Sequence, residues 1–90
     1  MNNTVTFGQL TIGETYYISE LFPMAISPIK ITGKTQRSYS YINSNGGETG
    51  VGNHDGRLFT ESQQLSGLFK ERESAKQFLR EEFEKKLSIL

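Results

Sequence analysis

The chain contains no cysteine. That absence removes disulfide staples, thiolate zinc sites and cysteine nucleophiles together, and it suits a reducing compartment, so the chain reads as cytoplasmic. There is no excess of charge of either sign, because ten Lys and Arg offset ten Asp and Glu. Whole-molecule charge therefore steers the protein neither to nucleic acid nor to an anionic membrane, and binding of either kind needs a local patch. Long apolar runs are missing too. Met1-Asn2-Asn3-Thr4 lacks the basic start and apolar stretch of a secretory signal, and no window reaches the apolar length of a membrane span. The chain is expected to be neither exported nor inserted. Internal repeats, low-complexity tails and heptad runs are also absent, and histidine occurs once, at His54.

What is present suits one small α+β domain. Ninety residues bury a single modest core, supplied here by six Phe, four Tyr and a 34% hydrophobic fraction. Residues 14–20 read as a first full strand, preceded by a lead-in and a turn at Ile12-Gly13, with Leu10 and Ile12 anchoring the lead-in against the core. Pro23 is expected to end that strand. After Pro28, Ile29 and Ile31 alternate with Lys30 and Thr32, and Gly33 breaks or bulges the run. From Gln36 to Asn43, Ser38, Ser40 and Ile42 take one side and Arg37, Tyr39, Tyr41 and Asn43 the other. The short link between these two runs predicts a hairpin, hence antiparallel pairing.

Residues 43–56 hold a single apolar side chain, Val51. That composition predicts a long, flexible, solvated loop with a possible weak strand at Thr49 to Val51. Asp55-Gly56 reads as a turn into a strand over Arg57 to Ser62, and Ser66 to Lys70 could form a last short strand. The tail is the clearest element: Ala75, Phe78, Leu79, Phe83, Leu87 and Leu90 recur at spacings of three and four, which predicts an amphipathic helix over about 71–88. Glu81 with Lys85 and Glu82 with Lys86 stand in the favoured acid-first order. A small antiparallel sheet spanning about 4–70, packed by this helix, is the expected architecture.

Several pieces together resemble small uncharacterised phage and mobile-element proteins that join a partly open Src-homology-3-like barrel to a terminal helix. They are Leu10 to Ile18, Ile31-Thr32-Gly33-Lys34 before Tyr39-Ser40-Tyr41, Asp55 to Phe59, and Leu68-Phe69-Lys70 running into Glu73-Ser74-Ala75. The resemblance implies a phage or mobile-element origin and a binding role.

Candidate chemistry is sparse. His54 beside Asp55 could form an acid/base or metal-ligand pair, but a metal normally takes three or four ligands, and the nearest further carboxylate, Glu48, lies in the same loop. The glycines of that loop lack the Gly-Lys-Ser/Thr ending and following helix of a phosphate cradle. No nucleophile elbow occurs among the serines. No catalytic residue, metal or cofactor is therefore assigned, and the expected function is a non-catalytic protein-binding module, a phage or mobile-element factor that inhibits or modulates a host protein. Its candidate contacts are Leu21, Phe22 and Met24, an apolar corner able to anchor a host factor or a second copy in a homodimer. The alternative is a nucleic-acid or nucleotide binder using Lys30, Lys34, Arg37, Tyr39 and Tyr41, since cations interleaved with aromatics hold phosphates and stack bases.

Overall fold

A computed structural model describes residues 4–21 and 24–89; the side chains of Leu21, Met24 and 86–89 lie outside that description. Six strands form one antiparallel sheet: β1 Thr4–Thr6, β2 Thr15–Leu21, β3 Met24–Lys34, β4 Ser38–Asn43, β5 Glu48–Gly52 and β6 Gln64–Phe69. A single helix, α1, runs over Arg72–Ile89, and a 3-10 turn at Phe7–Gln9 follows β1. The strand order is β1-β6-β2-β3-β4-β5, which leaves the sheet open with β1 and β5 at its borders. The α+β architecture and the β3–β4 hairpin are as the sequence predicts.

Period-two alternation sends one set of side chains to a cupped face. Tyr16, Ile29, Ile31, Tyr39, Leu65 and Leu68 meet there with Val5, Phe7, Leu10 and Phe59 in one cluster, against which Ile18, Tyr41 and Val51 pack. Leu65 and Leu68 reach the same face although three residues apart, because Gly67 at φ 76° resets the alternation, a backbone state that costs glycine nothing. The sheet is strongly curled. Phe7, just past β1, lies 6.4 Å from the Tyr39 ring of β4, whereas four strand spacings across a flat sheet would set the two about 19 Å apart.

The helix covers the opposite face. Phe69 is fully buried there and meets Phe78 at 5.4 Å between ring centroids, with Ala75 and Leu79 buried beside it. The Ser19 hydroxyl donates to the Ala75 carbonyl at 3.4 Å, tying α1 to β2. Phe83 departs from the expected stripe, being 49% exposed. Eighteen helical residues span about 27 Å, more than the roughly 20 Å of six-residue β6, so the later turns overhang the strands that cover the first. Lys85 pairs with Glu82 at 3.5 Å, and the expected Glu82–Lys86 pair falls outside the described side chains, as do Leu87 and Leu90.

Four further expectations are corrected. Ile12 anchors nothing, for it sits 59% exposed on the Gly13 turn while Leu10 alone enters the core. β3 begins at Met24 and runs through Pro28 rather than after it. The Ile31 N–H bonds to Glu14 across β2, so the odd residues of β3 face β2 and the nitrogen of Pro28 faces the β4 side, beyond Asn43 where β4 has ended. No ladder bond is lost.

Residues 43–56 are not one flexible loop: the weak strand expected at Thr49 to Val51 is present and longer, Glu48–Gly52 pairing with Ser38 to Ile42 as strand β5. The Asn43 side chain accepts the N–H groups of Asn45 and Gly47 and so closes the turn that returns the chain. Residues 57–62, finally, form no strand. The Phe59 N–H bonds to the Gln36 carbonyl at 2.7 Å, its ring stacks on Phe7 at 4.5 Å, and the reciprocal amide contact of Asn53 with Gln63 staples the segment as a plug. Gly33 marks a bulge, with Thr32 as the extra residue between the Ile31–Tyr41 and Gly33–Ser40 pairs.

Candidate functional site

Strand β5 is the open border at the end of the hairpin array, and its hydrogen-bonding parity follows from one bond. The Asn43 N–H reaches the Gly47 carbonyl at 3.0 Å, which makes Asn43–Gly47 a bonded pair and, in steps of two, Tyr41–Thr49 and Tyr39–Val51 as well. Thr49 and Val51 therefore spend their backbone groups on β4. Glu48, Gly50 and Gly52 turn theirs outward, where no strand stands among the described residues.

Two of those three residues have no side chain to shield the backbone. Gly50 is not required by the fold: its φ is not positive, and a Cβ built on it would have no atom within 4 Å. Glycine weakens a strand interior by roughly 0.5–1 kcal/mol relative to alanine. What it allows is close approach of another backbone. The strand lacks the usual edge protection, with no proline, lysine or bulge.

The sequence-derived candidates fall elsewhere. Phe22 lies outside the described residues; Leu21 and Met24 pair across β2 and β3, and their side chains are outside the description as well. Of the alternative set, Tyr39 is buried and Tyr41 half-buried on the cupped face. Lys34 donates to the Leu10 carbonyl at 3.0 Å and lies 4.7 Å over the Phe7 ring, a structural clamp. Lys30 pairs with Ile42 on the opposite face, and Arg37 is exposed at the β3–β4 turn. The five do not share a surface.

Burial pushes the Tyr39 hydroxyl above the ordinary tyrosine value of 10.0, with the nearby Tyr41 adding to it. Because the folded state holds this proton more tightly than the unfolded chain, the contribution is complete below about pH 10 and is lost as pH rises through the raised value. Tyr39→Phe keeps the ring and removes the proton. Urea midpoints followed from neutral to strongly alkaline pH should fall less for this variant than for the wild type; equal slopes would show that Tyr39 does not titrate against folding.

Asp55 accepts the backbone N–H of Arg57 at 3.1 Å and pairs with the Arg57 guanidinium, and these contacts hold its carboxyl below the usual range. It is committed to the turn rather than to orienting His54. Among the described residues no group of three or more His, Cys, Asp or Glu could hold a metal ion. No helix among them is long and apolar enough to cross a membrane.

A cleft of about 380 Å³ opens beside β1 and is lined in part by Gln9, Thr11, Glu14, Tyr16 and Lys70. Several of its polar groups bond within the chain. The Tyr16 hydroxyl donates to the Gln9 carbonyl and accepts the Thr11 N–H, both at 3.0 Å, while Lys70 lies 3.6 Å from Glu14 and over the Tyr16 ring.

No protein family matches the chain, and neither curated proteins nor solved structures give a significant match.

The β5 border is only half legible in the sequence. Glu-Thr-Gly-Val-Gly offers one large apolar residue, so its pairing depends on β4, and its exposure depends on a sheet order that no local pattern encodes.

Proposed function

We propose that this protein is a non-catalytic protein-binding module that takes an extended polypeptide segment onto β5 as a seventh strand. The open, glycine-bearing border carries the reading, since strand addition draws its affinity from main-chain bonds and needs an unshielded backbone. The engagement of Asp55 by Arg57 and of the Tyr16 hydroxyl by backbone groups adds support, because reactive centres need groups free to meet a substrate. The curl of the sheet, in which Phe7 reaches Tyr39, fits a Src-homology-3-like partial barrel. With the resemblance to phage and mobile-element proteins, the reading extends to a factor that modulates a host protein in the cytoplasm. Nucleic-acid binding has less support, because the five residues that would carry it lie on different faces.

Gly50→Pro tests the border directly. The Gly50 N–H faces outward, so proline removes a bond that only a partner could accept. Protein captured from a bacterial lysate by the tagged wild type should be lost with Gly50→Pro and kept with Lys30→Ala. Retention by both variants, or recovery of oligonucleotide in place of protein, would refute the reading.

A further inference from the structure

We infer that the segment received by β5 is the β5 strand of a second copy, aligned antiparallel about a two-fold axis at Gly50; this rests on the strand-addition reading above. In that register Gly50 faces its own equivalent and Glu48 faces Gly52 of the partner copy. Each copy offers three outward residues, and each of these donates one N–H and accepts at one C=O, so six bonds form and no outward group of β5 is left over.

Charge argues for a copy of the same chain over an unrelated strand. Glu48 stands at one end of β5 and, among the described residues, accepts only the Thr32 hydroxyl, at 3.3 Å. Arg37 stands at the other end, its carbonyl 3.3 Å from where a Cβ of Gly52 would lie, next to Ser38, which pairs with Gly52. Among the described residues neither has an oppositely charged partner in its own chain. Glu48 thus puts an acid at the start of the border, and Arg37 puts a base on the β3–β4 turn that adjoins its finish. Antiparallel pairing sets the acidic end of each copy beside the basic end of the other, whereas parallel pairing would set like against like. Glu48 also falls opposite a glycine, so the two acids of the pair stand about 13 Å apart along the strands and do not repel at contact distance. On the cupped face Thr49 meets Val51 of the other copy, and the two sheets run on as one.

The other border is less suited to this. β1 spans three residues, and its pairing with β6 shifts register between Thr4 and Thr6.

Sedimentation equilibrium across a concentration series, with thermal melts as a folding control, tests the inference. The wild type should show a reversible monomer–dimer equilibrium, and Gly50→Pro should be monomeric while still melting cooperatively. Glu48→Arg and Arg37→Glu should each weaken the dimer about tenfold, and the two changes together should restore it. These two variants keep the test decisive if the proline variant fails to fold. A monomeric wild type at the highest soluble concentration would overturn the inference, as would a dimer indifferent to the charge exchange. If the wild type is monomeric yet still captures another protein in a manner abolished by Gly50→Pro, the self-pairing falls while the strand-addition reading stands; if that capture is also missing, both fall.

Discussion

Phe69→Ala should destabilise the protein by about 3–5 kcal/mol. Phe69 is fully buried, contacts Phe78 of α1, and stands in a strand paired on both sides, to Thr4 of β1 and Tyr17 of β2. Its removal leaves a cavity between sheet and helix that Ala75, already fully buried, cannot fill. A domain of this length has about 5–13 kcal/mol of total stability, so the loss takes a large share of it. The melting temperature should drop by more than about 12 °C. Phe83→Ala, half exposed on the overhanging turns, should cost under about 1 kcal/mol. Equal losses at the two positions would show that the helix docks through a different side.

Phe7→Ala should cost a similar 3–5 kcal/mol on the other face, by a different route. The Phe7 ring stacks on Phe59, approaches Tyr39 and lies under the Lys34 ammonium, so it joins β1, the 53–63 segment and β4 across the cup. Without it the plug loses its seat. Hydrogen exchange should report this locally, because the Phe59 amide, bonded to the Gln36 carbonyl in the intact fold, should lose protection ahead of the β2–β3 ladder. Uniform loss of protection across all strands would mean that the curl and the sheet unfold as one.

The elements the sequence revealed are those whose signal is local. The spacing of Ala75, Phe78 and Leu79 defined the helix, and the alternation around Ile29, Ile31, Tyr39 and Tyr41 defined two strands. Alternation gives parity but not which side is inside. Alternation alone thus offers Tyr39 and Tyr41 as a stacking surface, whereas the cup buries Tyr39 and half-buries Tyr41. Leu58-Phe59 reads as strand in sequence because β-forming side chains do not reveal that one of them serves as a plug. The β5 border lay beyond local inference for the same reason, as exposure is a property of strand order.

Pro28 bears on how far association can go. The Met24–Pro28 stretch of β3 outruns β4 and so presents a second length of backbone unpaired on that side among the described residues, closed at its β4 end by a nitrogen that carries no hydrogen. A foreign strand seeking to seed there finds a template shortened to Met24 and Ile26. A molecule with one receptive margin stops growing once two copies have joined, whereas two such margins would let copies add without end into a fibre. In the β5 pairing inferred above, the proline would thereby favour a closed pair over a polymer.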